Sequence, residues 1–327
     1  MKKIVVTDFM TELSEAERQY LQNSYDIVFV DGHTEDDILP FIEDADALVV
    51  WHELSITKKS FDIMKNCSII VRMGVGFDNV DLNLARTHNI IVSNVPDYGT
   101  DVVADHAMAL LLAMNRNLSL YNEKFREDQA NWDPFLPGTA KRLRGKKLGI
   151  VGMGRIGMAT ALRAKAFGLE IQFYDPHVKS GIDKVVGAEQ VELQELAETS
   201  DYISIHTPLN SETIHMFSSN IFDIIKKDCV LINTARGEVV DLDALHDALK
   251  SNKIAGAALD VLETEPLPAD HPIATAWRRK EDWVAHKLLI TPHAAFFTDE
   301  SYMELKLKGW KTIKKYLEQG IICNCVL

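Results

Sequence analysis

Short apolar runs alternate with longer mixed stretches along the first part of the chain. The runs are rich in Ile and Val, and they predict strands at 4–6, 27–30, 47–50, 69–71 and 90–92. The stretches between the runs mix apolar and polar residues as amphipathic helices do, at 13–23, 35–44, 58–66 and 80–88. Near-continuous apolar strands separated by helices are typical of a parallel sheet that is covered on both faces.

A second series of the same kind begins at Lys147 and predicts a second parallel sheet. Its apolar runs lie at 148–151, 171–174, 202–206, 230–233, 255–259 and 288–290. A turn-rich break at 94–99 separates the two series, and a long helix is predicted after it, over 100–120. Residues 104–114 of that helix carry little polar surface, which indicates burial in a core or in a subunit contact. A last helix, 298–318, is predicted to return to the first domain.

The length of the chain indicates its number of domains, and its net charge argues against some classes of binding protein. A chain of 327 residues favours two α/β domains over one, and its 46% hydrophobic and 25% charged residues are ordinary for a globular protein. The net charge of −13 argues against a nucleic-acid or anionic-membrane binder, although a few local cations can still hold a small anion. The N-terminal apolar run is too short for a signal peptide, so we expect a cytoplasmic protein without a membrane anchor.

Four cysteines are too few for a disulfide framework in a chain of this length. The pair Cys323-x-Cys325 could suggest a metal site, but no second pair lies nearby in the sequence. Free thiols in a reducing compartment are therefore the favoured interpretation, and no metal site is predicted.

The motif Gly-x-Gly-x-x-Gly follows the second series' first strand directly and opens a helix, which is the context of a Rossmann dinucleotide loop. Its residues are Gly152, Gly154, Arg155, Ile156 and Gly157. The next strand ends in Asp175, whose carboxylate would accept bonds from the adenosine ribose and repel a 2′-phosphate. The sequence therefore predicts NAD as the cofactor. Arg155 has two interpretations, a phosphate contact or a solvated surface residue.

Three charged or titratable residues follow apolar strands of the second series: Arg236, Glu265 and His293. Ligands of an open α/β sheet bind beyond the carboxyl ends of its strands, so these side chains are expected to gather beside the cofactor. Arg236 can hold a carboxylate and polarise a ketone, and a histidine such as His293 can exchange a proton with the substrate. Glu265 can orient the histidine and stabilise its charged form. The set predicts hydride exchange with a 2-oxo acid.

The chain resembles the D-isomer-specific 2-hydroxyacid dehydrogenase family over essentially its whole length. The resemblance rests on the glycine loop with Asp175, on 233–237, on 257–261 with Glu265-Pro266, and on Thr291-Pro292-His293. Within the family it is most similar to the branch of the C-terminal-binding protein corepressors, on the segments 71–79, 162–168, 173–176 and 291–295.

The resemblance implies a flavodoxin-like substrate domain at 1–97 and 298–327, a Rossmann NAD-binding domain at 98–297, and hinge helices that join them. It also implies a homodimer built on the cofactor domain. It assigns the catalytic set to Arg236, Glu265 and His293, and substrate contacts to His52, Arg72, Gly74, Val75 and Gly76. It assigns cofactor contacts to Thr207, Pro208, Thr213, Thr234, Ala235 and Asp260.

The chain departs from the corepressor pattern at two places. Phe296 stands where that branch carries a tryptophan that packs on substrate, which favours a substrate with an apolar side chain. The segment 276–286 lengthens the connection from Glu265 to His293. It could cap the site, extend a dimer contact, or be a surface insertion.

The sequence is compatible with two functions. The first is an NAD-dependent oxidoreductase that interconverts D-2-hydroxy acids and 2-oxo acids. The second is an NAD(H)-responsive scaffold that recruits proteins, as the corepressors do. The intact Arg236, Glu265 and His293 suit both, whereas the near absence of a tail after Glu318 favours the enzyme. The sequence does not single out one acid among glyoxylate, hydroxypyruvate, phosphohydroxypyruvate and larger apolar or thioether 2-oxo acids.

Overall fold

A computed structural model describes residues 1–128, 130, 132–135 and 140–327. The chain separates into two compact units. The first unit is Met1–Gly99 together with Phe297–Leu327, and the second unit is Thr100–Phe296. The corresponding domain boundaries predicted from the sequence lie at 97/98 and 297/298, and the functions expected of the two domains stay predictions.

The first unit is built on a five-stranded sheet. Its strands and the helices between them are β1 Lys2–Val6, α1 Glu15–Leu21, β2 Tyr25–Phe29, α2 Glu35–Ile42, β3 Ala47–Val50, α3 Lys58–Ile63, β4 Ile69–Arg72, α4 Leu82–Thr87 and β5 Ile91–Ser93. The strand order is β2-β1-β3-β4-β5 and every pairing is parallel. This is the flavodoxin-like order, in which successive strands are added to one side of β1 and then, from β3 onward, to its other side.

The second unit carries a seven-stranded sheet. Its elements are α5 Thr100–Asn115, α6 Leu118–Glu127, β6 Lys147–Val151, α7 Arg155–Ala166, β7 Glu170–Tyr174, α8 Ile182–Val186, β8 Glu189–Gln190, α9 Leu193–Thr199, β9 Tyr202–Ile205, α10 Ser219–Ile224, β10 Val230–Asn233, α11 Leu242–Lys250, β11 Gly256–Leu259, α12 Pro272–Arg278 and β12 Leu288–Ile290. The order is β8-β7-β6-β9-β10-β11-β12, again parallel throughout. Counted within the unit this is 3-2-1-4-5-6-7, so the Rossmann prediction is confirmed.

Burial explains why the apolar runs predicted the strands so closely. The strands β3, β4, β9, β10 and β11 are buried at every residue. Helices cover both faces of such strands, so apolar residues occupy consecutive positions instead of alternating ones. The strand β8 escaped prediction because both of its residues, Glu189 and Gln190, are polar and exposed.

The prediction of one helix over 100–120 was wrong. Asn117 has a φ of 52°, a left-handed conformation that ends α5 and starts α6 in a new direction. The apolar part of α5 lies in the core of the second unit, where it packs against α7 and the sheet. Of the two interpretations of this helix, the structure therefore shows burial in a core.

The last helix, α13, runs over Asp299–Gln319 and completes the first unit. Trp310 is fully buried on it and donates its indole N–H to Oε1 of Glu17, at 2.7 Å. Lys306 places its Nζ 3.0 Å from Oε2 of the same carboxylate. A buried charge needs such partners, and here they join α1 to α13.

The segment 276–286 packs into the second unit. Val284 is fully buried, and the indole N–H of Trp277 donates to the carbonyl of Leu288 at 3.2 Å. The ring of Trp283 meets His246 of α11 edge-on at 5.0 Å. The segment therefore extends the core around α11 and β12.

No helix within the described ranges is both long enough and apolar enough to cross a membrane. The four cysteines are free thiols. In the same ranges, no three His, Cys, Asp or Glu side chains group as metal ligands would.

Candidate active site

The glycine loop joins β6 to α7 in a conformation that only small residues permit. Gly152 has a φ of 92°, and a Cβ atom on it would lie 2.7 Å from the carbonyl oxygen of His206. A Cβ on Gly157 would lie 2.1 Å from the carbonyl oxygen of Gly152, so the helix can approach the strand only at a glycine. Gly154 caps the helix and faces open space on the side where its Cβ would be. The backbone at Gly154 can therefore approach a ligand.

Asp175 lies at the end of β7 beside this loop. Its Oδ2 accepts the backbone N–H of Met153 at 2.8 Å, and its Oδ1 accepts that of His177 at 2.8 Å. The carboxylate is thereby fixed in place, and each oxygen retains a further lone pair for another donor. Its negative charge stands next to the turn that would receive a dinucleotide.

His293 and Glu265 form a direct pair. The Nδ1 of His293 and the Oε2 of Glu265 lie 2.7 Å apart, and both side chains are partly buried. The other carboxylate oxygen accepts the backbone N–H of Leu262 at 2.9 Å. An ionised carboxylate only accepts, so Nδ1 carries the hydrogen of this bond, and a proton exchanged by the ring would be carried on Nε2.

A buried carboxylate, that of Asp260, supports the loop of His293. It is 2% exposed and accepts the backbone N–H groups of Ala294 and Ala295, both at 2.9 Å, and the hydroxyl of Thr291 at 2.5 Å. Burial opposes its ionisation, but these bonds and the neighbouring His106 outweigh burial and lower the pKa of Asp260. Asp260 therefore acts on the position of His293, and its predicted cofactor contact stays a prediction.

Arg236 follows β10 in a turn that touches the Glu265 loop. Asn233 is fully buried, donates to the carbonyl of Arg236 at 2.8 Å and accepts the N–H of Ala235 at 3.0 Å. A Cβ on Gly237 would lie 1.9 Å from the carbonyl carbon of Leu262. The turn of Arg236 thus packs directly against the backbone that leads to Glu265.

The remaining residues that the resemblance assigned to the cofactor lie at the carboxyl ends of β9 and β10. Thr207 and Pro208 follow β9, and the hydroxyl of Thr213 donates to the carbonyl of Pro208 at 2.7 Å. Thr234 and Ala235 follow β10. The hydroxyl of Thr234 is buried and has no hydrogen-bond partner among the described residues, which leaves it available to a ligand.

Phe296 lies beside the paired histidine. Its ring meets that of His293 edge-on, with 6.3 Å between the ring centroids. The structure thus brings together His293, Glu265 and Phe296 in one place of the second unit, with the Arg236 turn packed behind the Glu265 loop.

The first unit presents a separate set at the carboxyl ends of its own strands. Arg72 ends β4 and is 7% exposed, and its Nη1 donates to the carbonyl of Met73 at 2.7 Å. Gly74 makes room for this guanidinium, because a Cβ on Gly74 would lie 1.6 Å from Nη1. The predicted contacts Val75 and Gly76 continue this loop, and Asn94 holds the carbonyl of Val75 at 2.7 Å. His52 follows β3 at the same edge.

Four supporting residues escaped the sequence analysis. Asp8 is fully buried after β1 and accepts the N–H groups of Trp51 and Glu53, both at 2.9 Å. Burial raises the pKa of Asp8 in spite of these bonds and of the nearby Arg72. In the second unit, His215 places Nε2 2.7 Å from Oε1 of Glu263, two residues before Glu265. His106 reaches the hydroxyl of Thr291 at 3.1 Å. The carboxylates at strand ends were the available signal for Asp8 and Glu263.

Residues 108–295 match the family model described as "D-isomer specific 2-hydroxyacid dehydrogenase, NAD binding domain". The chain is 35% identical over all of its 327 residues to D-3-phosphoglycerate dehydrogenase of Methanocaldococcus jannaschii, of whose length it spans 59%. It is 38% identical over 266 residues to glyoxylate reductase of Korarchaeum cryptofilum, covering 81% of this chain and 77% of that protein.

Solved structures share the fold over the whole chain. D-lactate dehydrogenase from Aquifex aeolicus, complexed with NAD and lactic acid, superposes with a TM-score of 0.86 at 28% identity. The match covers 99% of this chain and 98% of the solved one. The similarity therefore extends to both units.

Proposed function

The chain belongs to the D-isomer-specific 2-hydroxyacid dehydrogenase family, and from this premise we propose that it is an NAD-dependent oxidoreductase that interconverts D-2-hydroxy acids and 2-oxo acids. The observation that carries the proposal is the His293–Glu265 pair at 2.7 Å, held at the carboxyl edge of a Rossmann sheet. The narrower resemblance to the corepressor branch stays a prediction, and the comparisons do not favour the scaffold alternative.

The glycine loop and its surroundings fit a dinucleotide. The open face of Gly154, the N-terminus of α7 and the unpartnered hydroxyl of Thr234 are features that such a ligand would use. We assign cofactor contacts to this loop, to Asp175 and to the residues after β9 and β10. When bound, the nicotinamide supplies or accepts the hydride at the substrate's C2.

Residues of the protein stabilise the charge that develops on the substrate and transfer the proton. As a 2-oxo acid is reduced, negative charge develops on its carbonyl oxygen, and His293 delivers a proton to that oxygen from Nε2. Glu265 stabilises the protonated ring through Nδ1 and keeps the ring in the orientation that its 2.7 Å bond defines. Arg236 offers a guanidinium that polarises the carbonyl and holds the carboxylate. In the reverse direction His293 accepts the proton from the hydroxy acid.

The first unit contributes the other proposed substrate contacts. Arg72 provides a buried cation for the substrate carboxylate, with Gly74, Val75 and Gly76 offering backbone beside it. His52 lies at the same edge. These assignments rest on the resemblance and on the position of each residue after a parallel strand.

We further propose a cytoplasmic homodimer. All four cysteines are free thiols, which suits a reducing compartment. The apolar face of α5 is buried in its own unit, so we place the dimer contact on the exposed aromatic residues that follow the helix. Trp132 and Phe135 are 82% and 88% exposed, and Phe125 packs edge-on against Trp132 at 5.5 Å. Large exposed apolar groups of this kind mark interaction surfaces.

The proposed reaction predicts that the purified protein oxidises NADH when it is offered a 2-oxo acid. The panel comprises glyoxylate, pyruvate, hydroxypyruvate, phosphohydroxypyruvate and 4-methyl-2-oxopentanoate, each assayed by the loss of NADH absorbance. We expect at least one to be reduced, and the product to be the D-isomer on chiral chromatography. Protein that binds NADH but reduces none of the five contradicts the proposal.

Replacing Glu265 with Gln should lower kcat by at least about tenfold, because general acid–base steps contribute about 10²–10⁴-fold. The amide removes the negative charge that favours the protonated ring of His293. The rate of 2-oxo acid reduction should therefore begin to fall at a lower pH than in the wild type. The matched control is Glu212→Gln, which alters a largely exposed pair with His177 at 3.0 Å and should leave kcat unchanged. An unaltered pH profile in the Glu265 variant would refute its role.

Asp175→Ala should reduce the preference for NADH over NADPH by about tenfold or more, since the variant no longer repels a 2′-phosphate. The alanine also removes the acceptor of the Met153 N–H. Asp175→Asn is the companion variant, because it keeps an acceptor oxygen and loses only the charge. If the ratio of kcat/KM values for the two cofactors stays constant in both variants, Asp175 does not set the preference.

The double variant Trp132→Ala/Phe135→Ala should dissociate the dimer. Light scattering after size exclusion should give about twice the chain mass of 36.8 kDa for the wild type and one chain mass for the variant. Phe41→Ala serves as the control, because Phe41 is an exposed aromatic residue of the first unit. A wild type that elutes as a monomer, or a double variant that remains dimeric, argues against this surface.

A further inference from the structure

Phe9 holds a backbone conformation that bulky residues avoid. Its φ is 64°, and the N–H of Met10 donates to the carbonyl of Asp8 at 2.8 Å across it. A three-residue turn with a positive central φ is the rarer and more strained form of the γ-turn. Such strain persists only where the surrounding structure fixes the residue, and it is often found at functional sites.

The residues on both sides of Phe9 are fixed. Asp8 is fully buried and accepts the N–H groups of Trp51 and Glu53, which ties the loop after β1 to the loop after β3. Met10 is 4% exposed. Phe9 lies between these two buried residues, yet it is itself 38% exposed. The turn therefore directs an aromatic ring outward at the carboxyl edge of the sheet.

The ring of Phe9 also has a defined position at that edge. Its centroid lies 5.1 Å from that of Trp51 and 4.9 Å from that of His52. Trp51 is buried, and its carbonyl accepts a bond from the side chain of Asn79 at 2.9 Å. Arg72 ends β4, which pairs with β3 in the sheet, and its charge is close enough to affect the pKa of Asp8. A cation and a fixed aromatic ring thus share one strand edge.

The edge offers an apolar contact more readily than a second site for an anion. The loops at 7–12, 51–55 and 73–79 carry four carboxylates, Asp8, Glu12, Glu53 and Asp78, and their one basic residue is His52. Two of these carboxylates face cations from outside the loops, Glu12 with Arg18 at 3.6 Å and Glu53 with His33 at 3.3 Å. We assign Arg72, with Arg236 of the second unit, to the carboxylate of the substrate. The aromatic ring of Phe9 suits an apolar chain better than a phosphate, which would lose its hydration against the ring.

We infer that Phe9 is a specificity-determining residue whose ring contacts the apolar side chain of a 2-oxo acid, while Arg72 holds the acid's carboxylate. The inference rests on the proposed function and deepens it, because it names the substrate class. The class is 2-oxo acids with a branched or aromatic apolar side chain, in preference to glyoxylate and to phosphorylated 2-oxo acids.

The test compares 4-methyl-2-oxopentanoate with glyoxylate, using NADH and the full chain. The wild type should show the higher kcat/KM for the branched acid. Phe9→Gly removes the ring and adopts the positive φ freely, and it should lower kcat/KM for the branched acid about tenfold or more, since single methylene groups change this constant by about 10–200-fold. Its kcat/KM for glyoxylate, which has no side chain, should change less than about threefold. Phe9→Leu should retain most of the preference.

Phe41→Ala is the control, because Phe41 is 41% exposed on α2 and should leave both constants unchanged. Thermal unfolding followed by circular dichroism, which reports on both units, checks that each variant is folded. If the glycine variant is not folded, the leucine and wild-type constants decide: a leucine variant with no preference for the branched acid overturns the inference, and one that retains it supports it.

Two results would overturn the inference while leaving the proposed function intact. One is a parallel change in kcat/KM for both acids in the Phe9 variants. The other is a wild type that reduces glyoxylate or phosphohydroxypyruvate in preference to the branched acid. A wild type that reduces no 2-oxo acid instead overturns the proposed function itself, and the inference with it.

Discussion

Parallel pairing places every carboxyl end of the described strands of a sheet at one edge, and the chemistry of both units depends on that constraint. In the second unit it gathers the glycine loop after β6, Asp175 after β7 and the loops that carry Arg236, Glu265 and His293. In the first unit it gathers the loops after β1, β3 and β4. Residues that are far apart in sequence become neighbours because parallel strands cannot end anywhere else.

At the carboxyl edge of each sheet, a buried carboxylate holds a neighbouring loop in place. Each edge has a buried carboxylate in the loop that follows a strand, and this carboxylate accepts backbone N–H groups of the next loop along the edge. Asp8 accepts those of Trp51 and Glu53, and Asp260 those of Ala294 and Ala295. Bonds from backbone N–H groups to an ionised carboxylate are among the stronger hydrogen bonds, and they offset the cost of burying the charge. Each carboxylate also accepts a threonine hydroxyl, from Thr7 in Asp8 and from Thr291 in Asp260. Asp260 has His106 as a further partner and its pKa is lowered, whereas burial prevails in Asp8 and raises its pKa.

The strands and the glycine loop could be predicted from sequence because their signals are local. Burial on both faces makes β3 and β10 continuously apolar, and close packing forces glycine at Gly152 and Gly157. The pairing of His293 with Glu265 was also predictable, since it follows from strand order and from the types of residue at the strand ends. The break at Asn117 was missed because no glycine marks the left-handed conformation, although the polar residues 115–117 interrupt the apolar pattern there. The support from Asp260 depends on contacts between loops, which no spacing in the sequence reveals.

Where the backbone must be left-handed, the residue chosen carries information. Five of the described non-glycine residues with positive φ are Asn, which tolerates this conformation: Asn23, Asn89, Asn117, Asn252 and Asn324. His293 and Phe9 adopt it as well, with φ values of 51° and 64°, although a glycine would relieve the strain at either position. A strained side chain is retained where its loss would cost more than the strain, and His293 has an evident use as the partner of Glu265. Phe9 alone among these residues is both bulky and wholly apolar. By the same reasoning, the ring of Phe9 has a function at the strand edge that it shares with Arg72. An aromatic hydrocarbon ring can contact an apolar part of the substrate, which is the role that we infer for it.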